Sequence, residues 1–155
     1  KIGMVDSYKE PRLFEHSPNL VCICIDKIDL NITTGRIFTY YNSEPVIFNS
    51  VDQIFLILEN FFDDIDFPQA STQTRGFAER KTANLPLIST KSGKIMSWEE
   101  LTGHQGTLAT FLLHVKYRQN STWQGNLKWV EKNKTRSFQS DLEFMELVNT
   151  AIAEK

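Results

Sequence analysis

The chain predicts an α+β fold built from a duplicated β-β-β-α unit, with a mixed or antiparallel sheet, two long helices and a pseudo-twofold relation between the copies. Three observations carry this expectation. Sliding the sequence onto itself by 90 residues without gaps places apolar positions on apolar positions: Val21 on Phe111, Ile23 on Leu113, Ile25 on Val115, Phe48 on Phe138 and Ile54 on Phe144. Gly35 falls on Gly125 and Ser50 on Ser140 in the same alignment. Each serine opens a stretch with helical spacing, and each such stretch follows segments with strand character.

Leu20 to Asp26 is apolar on both alternating faces, as a central strand requires. Asp29 to Thr34 reads as a turn, and Gly35 to Tyr41, rich in β-branched and aromatic residues, as a second strand. Asn42-Ser-Glu-Pro45 carries turn residues, and Val46 to Phe48 is a short third strand. Ser50 with Gln53 fits a capping box, in which the hydroxyl accepts from the N3 amide and the Gln side chain reaches back. Val51, Ile54, Ile57, Leu58, Phe61, Phe62 and Ile65 then make one apolar helical stripe, with Asp52, Glu59, Asp63 and Asp64 on the polar side. The acidic residues at the helix end oppose its dipole, and basic residues of the following loop are the expected compensation.

The second half repeats the plan. Thr110 to Arg118 alternates, with Phe111, Leu113, Val115 and Tyr117 on one face and His114, Lys116 and Arg118 on the other. Asn120-Ser-Thr is a turn. Trp123 to Glu131 is the return strand, with Trp123, Leu127 and Trp129 sharing a face. Lys132 to Lys134 turns again, and Arg136 to Phe138 is short. Ser140 with Glu143 is the second capping box, and Phe144, Leu147, Val148, Ala151 and Ile152 form its stripe. At 155 residues the chain is expected to be a single domain over 1–155, with repeat units at about 19–66 and 109–155 and a polar insert at about 67–108. Within the insert, Ser97-Trp-Glu-Glu100 is a third capping-box match, and Gly103 keeps any helix there short. From Pro68 to Lys94 the insert is basic: Arg75, Arg80, Lys81, Lys91 and Lys94 against Glu79.

Several functions are disfavoured by what the sequence holds. A net charge of −2 does not suit a nucleic-acid binder that relies on a basic surface. No apolar run is long enough for a membrane-spanning helix. Cys22 and Cys24, two apart on a strand, read as buried reduced thiols, which favours a cytoplasmic setting. They lack a second Cys or His pair with metal-ligand spacing. His16, His104 and His114 are scattered, and no nucleophile-elbow or phosphate-loop signature is present. No catalytic set, metal site or cofactor is therefore expected, and an enzyme is disfavoured.

The most suggestive cluster is Arg118-Gln119-Asn120-Ser-Thr122-Trp123-Gln-Gly125, with a guanidinium, amides, hydroxyls and an indole around one hairpin turn. Gly125 permits a bulge or a close backbone approach there. Together with Arg75 and Arg80 of the basic 68–94 loop, this set is the expected ligand-binding surface, suited to stacking and bidentate hydrogen bonding. The expected function is a non-catalytic interaction or ligand-binding module. The alternatives are a sensor of an anionic or nucleotide-like small molecule, or a small enzyme in a cleft between the repeats using His104 or Arg118. Expected partners are a protein or an anionic small molecule, with no nucleic acid or membrane, and the chain as monomer or homodimer.

Two resemblances accompany this reading. Asn120-x-Thr122-x-x-Gly125 is similar to the second half of the PilZ cyclic-dinucleotide signature, which has Ser where Thr122 stands and an upstream Arg pair that Arg75 and Arg80 miss by one residue. That resemblance implies cyclic-dinucleotide binding and covers about six residues. The stretches Phe67-Pro-Gln-Ala-Ser-Thr-Gln-Thr-Arg75, Tyr117-Arg-Gln-Asn-Ser-Thr-Trp-Gln-Gly125 and Phe138-Gln-Ser-Asp-Leu-Glu143 resemble small uncharacterised proteins of anaerobic Gram-positive bacteria. This second resemblance implies a bacterial origin and no particular activity.

Overall fold

Val21–Asp29 forms β1, the strand on which the sheet is centred, because its first five residues are buried on both faces. A computed structural model describes residues 17–30, 32–69, 85–119 and 122–154. Strands β2 (Ile32–Thr39) and β3 (Asn42–Phe48) follow β1 as a meander, and helix α1 (Val51–Ile65) returns across the sheet. After a short helix α2 (Trp98–Thr102) come β4 (Ala109–Gln119), β5 (Thr122–Trp129), β6 (Lys134–Phe138) and helix α3 (Asp141–Ala153). The six strands lie in the order β3-β2-β1-β4-β5-β6, and every neighbouring pair is antiparallel.

This corrects the expected architecture. Of the mixed or antiparallel sheet expected, the antiparallel form is found, but among the described residues the helices number three, of 15, 5 and 13 residues, and two long ones are not shown. β1 and β4 pair directly, Ile23 opposite Phe111, so both halves contribute to one continuous sheet. A duplicated unit is not shown. The 90-residue sequence match reflects shared local patterning, and that patterning does not dictate how the halves join. The turn expected at Asn42 to Pro45 is also displaced. The chain reverses at Tyr40 and Tyr41, and Asn42 opens β3. Its side chain accepts from the Thr39 amide at 2.8 Å and donates to the Ile37 and Glu44 carbonyls, which closes the turn one step earlier. Pro45 is tolerated because β3 is an edge strand with no ladder bond to lose on its outer side.

Apolar side chains occupy both faces of the sheet. On one face Val21, Ile23, Ile25, Phe48, Phe111, Leu113, Trp123 and Phe138 pack against Ile54, Leu58, Phe61 and Phe62 of α1 and Phe144 and Val148 of α3. On the other, Cys22, Cys24, Phe38, Tyr40 and Leu112 are covered by Leu101 of α2, Met96 and Trp98. The 95–108 segment is tied there by amides of Ile95 and Met96 to the Tyr40 carbonyl and of Leu108 to Ile25. The three described helices share the expected serine cap: the hydroxyls of Ser50, Ser97 and Ser140 each accept from the N3 amide at 3.1 Å. Only Ser97 has the full reciprocal box. At the other two, the Gln53 and Glu143 side chains reach one residue further back, to the amides of Asn49 and Gln139.

One irregularity in β4 decides where its side chains point. Val115 pairs with Gly125 but Tyr117 pairs with Gln124, so Lys116 is the extra residue of a bulge. A Cβ on Gly125 would lie 2.1 Å from the His114 carbonyl oxygen, so only glycine lets the two backbones come this close. The strand phase inverts beyond the bulge. Tyr117, expected inward, is 65% exposed, and Arg118, expected outward, is buried on the helix-covered face at 4%. β1 has a similar bulge at Asp26, opposite Gly35.

Replacing Gly125 by alanine is expected to destabilise the fold by at least ~2 kcal/mol, because the blocked atom belongs to backbone and cannot swing aside. Urea denaturation of the variant checks this, and an unchanged midpoint contradicts the bulge geometry.

Candidate functional site

Arg118 is held from three directions. Its Nε donates to the Pro68 carbonyl at 2.8 Å, and its Nη1 donates to Glu59 Oε1 at 2.7 Å and Asp63 Oδ1 at 2.9 Å. The guanidinium also lies 5.7 Å from the Phe62 ring centroid. The compensating charge for the acidic end of α1 therefore comes from β4, and the expectation that the loop supplies it is corrected for Glu59 and Asp63. A buried guanidinium requires partners for its charge, and Glu59 and Asp63 supply them on adjacent turns of α1. Asp66 closes α1 in a left-handed conformation and accepts from the Gln69 amide group at 3.0 Å.

This arrangement fixes one wall of a cleft of about 730 Å³. Asp66, Phe67, Pro68 and Gln69 line it from the end of α1, and Lys116, Tyr117, Arg118, Gln119 and Gln124 from β4 and β5. Tyr117 and Phe67, 65% and 41% exposed, bring aromatic surface to it. Lys116 and Gln119 are exposed beside them.

The expected binding residues are thus only partly brought together. Arg118 and Gln119 line the cleft, but the hydrogen-bonding edge of Arg118 faces protein along Nε and Nη1. Trp123 is wholly buried, packed against Phe55, Phe62 and Phe144, and belongs to the core. Thr122 pairs with Gln119 across the hairpin, and Gly125 serves the bulge. Asn120, Arg75 and Arg80 lie outside the described residues. Of the remaining basic loop, Lys94 stands over the Tyr40 ring at 5.2 Å and does not line the cleft. Sequence reasoning missed Lys116, Tyr117 and Phe67. The one available signal was Gly125 opposite Val115: a bulge there shifts the alternation by one and turns Tyr117 outward.

The second face carries a polar cluster that anchors the 103–107 segment. Arg36 binds Asp26 through two bonds of 2.7 and 3.0 Å and donates to the Gln105 carbonyl at 2.7 Å. The Thr107 amide donates to Asp26 at 3.0 Å. Burial raises the Asp26 carboxyl, but the hydrogen bonds from Arg36 and Thr107 outweigh it and hold the group below its usual range. His104 stacks flat on Phe38, ring centroids 3.5 Å apart, and burial followed by the Arg36 charge lowers its pKa. His104 and Arg118 therefore sit on opposite faces of the sheet. Cys22 and Cys24 are free and buried side by side, and a hydrogen bond between them together with burial pushes the Cys22 thiol up. Among the described residues, no group of three or more His, Cys, Asp or Glu is placed to hold a metal ion.

His114 Nε2 lies 2.8 Å from the Ser17 hydroxyl, while the Asn19 amide donates to the Val115 carbonyl at 2.8 Å, fastening residues 17–19 along β4. Burial first, and the Lys116 charge second, push His114 from its ordinary 6.5 down to about 4.

The fold and cleft define a small α+β protein with an open antiparallel sheet and a polar, aromatic-flanked recess at one hairpin end. No family model, curated protein or solved structure matches the chain. Among the described residues, no helix is long and apolar enough to cross a membrane.

Two outcomes are expected from this geometry. Arg118→Ala leaves Glu59 and Asp63 facing the protein, but both retain some access to water, so the loss is about 2–3 kcal/mol, low for a broken buried pair. Arg118→Lys does not restore stability in urea denaturation, because one ammonium cannot reproduce the planar fork that spans Pro68 and both acids. For His114 the folded state stays neutral while the unfolded chain takes up a proton below its ordinary 6.5. Stability therefore falls as pH drops from 6.5 towards 4 and levels off below that, with His104 contributing in the same sense. Thermal melting across this range checks the slope, and an NMR titration of His114 with a midpoint near 6.5 contradicts it.

Proposed function

We propose that the protein is a non-catalytic binding module that takes a planar, anionic small molecule of the nucleotide class in the cleft at the β4–β5 hairpin. The observation that carries this reading is the exposed Tyr117 ring beside Lys116 on a wall that the buried Arg118 keeps rigid. An aromatic face supplies stacking to any base, Lys116 supplies charge for a phosphate, and the Gln69, Gln119 and Gln124 amides offer donors and acceptors to a base edge. The proposed surface adjoins the expected 118–125 hairpin and shares Arg118 and Gln119 with the expected set, while Tyr117 and Lys116 take the roles first assigned to Trp123 and Arg118. The buried thiols fit a reducing compartment, which supports a cytoplasmic setting. The enzymatic alternative called for His104, or for Arg118 with a nearby carboxylate; the carboxylates beside Arg118, Glu59 and Asp63, are engaged in holding its guanidinium, which favours the binding reading.

Native mass spectrometry of the purified protein at several concentrations is the first test. A co-purified mass in the nucleotide range, removed on unfolding, is expected. Tyr117→Ser is then expected to weaken that ligand about tenfold, the scale of one lost stacking contact, while the melting temperature stays unchanged because the ring is 65% exposed. Bare protein at every concentration, with no affinity for added mono- or dinucleotides, overturns the reading in favour of a protein partner.

A further inference from the structure

A second recess lies where the far end of α3 rises from β5 and β6. The cavity holds about 100 Å³, and its floor is apolar, formed by Phe111, Leu127 and Trp129 of the sheet with Leu147 and Ala151 of the helix. Lys134 and Arg136 of β6 stand on the same lining, with Thr150 and Glu154 across from them on α3. The register explains how the cations come to be there. In β6 the residues opposite Trp129, Leu127 and Gly125 are Lys134, Arg136 and Phe138, so the strand's helix-facing side reads cation, cation, aromatic. Phe138 is buried beneath Phe144 where α3 lies close, whereas the two cations occupy the open end of the wedge. Among the described residues, neither Lys134 nor Arg136 makes an ion pair. Lys132 adds a third cation, 5.6 Å from the Trp129 ring centroid, and Glu154 is the one acid on the lining. The Trp129 indole N–H is itself buried without a hydrogen-bond partner.

We infer that this wedge is a binding site for a small apolar carboxylate, one ring or a short branched chain in size, whose hydrocarbon part fills the floor and whose carboxylate meets Arg136 and Lys134 at the mouth. The size follows from the volume: at about 100 Å³ the recess is roughly two-thirds of the ~150 Å³ apolar cavity that admits benzene, so one ring fills its floor and reaches the open mouth. The charge follows from the rim: two cations without ion pairs outnumber Glu154, and a guanidinium on a β-strand can grip a carboxylate by two parallel bonds. This site is separate from the Tyr117 cleft and shares no lining residue with it, so neither proposal depends on the other. The competing explanation for inward cations on β6 is protection of an edge strand from pairing with another chain.

Benzoate is the probe, with benzyl alcohol as its neutral counterpart, and the ¹⁵N–¹H correlation of the Trp129 indole is the readout. Benzoate is expected to shift that resonance saturably and leave the Trp98 indole in place. Benzyl alcohol is expected to bind about tenfold more weakly, and Arg136→Gln to cost benzoate about the same factor while the melting temperature holds. Ala151→Leu, which places a larger side chain in the recess, is expected to abolish the shift. If that variant fails to fold, the Arg136→Gln comparison still decides. Three outcomes overturn the inference: no saturable shift at Trp129, equal affinity for the acid and the alcohol, or an Arg136→Gln variant that binds benzoate as before, self-association of that variant then assigning the cations to edge protection.

Discussion

The buried guanidinium of Arg118 is the interaction on which the arrangement of this molecule rests. It joins three parts at one point: the far end of β4, the acidic turns of α1, and the Pro68 carbonyl that follows α1. α1 ends in acids with no basic residue in its last turn, so by itself the helix terminus is electrostatically frustrated. A cation brought from the sheet relieves this and orients the helix at the same time. Arg suits the position where Lys does not, because a planar fork can satisfy a carbonyl and two carboxylates at once.

Arg118 reaches this place only because of the bulge at Lys116. An unbroken alternation would turn it to the opposite face and bury Tyr117 beside Phe62. Gly125 lets the strands approach closely enough for the extra residue to fit, and Lys116, displaced from the ladder, becomes available at the surface. A single backbone irregularity therefore makes both the anchor and the exposed aromatic surface of the cleft. The parallel device in β1 sets Asp26 out of the ladder, where it receives Arg36 and the Thr107 amide and holds the 103–107 segment over the second face. The two bulges serve opposite ends: that in β1 covers a sheet face, that in β4 opens a recess.

The two recesses differ in origin. The cleft at Tyr117 comes from a strand whose phase changes, while the wedge at Trp129 lies where α3 covers Phe138 of the edge strand through Phe144 but leaves Lys134 and Arg136 exposed. α1 buries six of its residues, and α3 buries three, Phe144, Val148 and Ala151, with Leu147 and Ile152 only half-buried. The weaker amphipathic stripe of α3 leaves room beside Trp129 that a longer buried face would have filled.

The sequence by itself determined the elements that depend on local spacing. The apolar run at Val21 to Ile25, the two helical stripes, the serine caps at Ser50, Ser97 and Ser140 and the buried free thiols were all legible, because period and capping chemistry act over a few residues. Tertiary structure decided how these elements combine. The pairing of β1 with β4 into one sheet, the short helix α2 as cover for the second face and the strand start at Asn42 each depend on partners far along the chain or on a side chain closing a turn. The candidate site shows the division most clearly. The stretch 118–125 was singled out for its side chains, yet the orientation of Tyr117 and Arg118 was inverted by one extra residue, Lys116, earlier in their own strand. Period-2 reasoning carries no information about a bulge, so Tyr117 and Lys116 became visible as site residues only once the register across Gly125 was known.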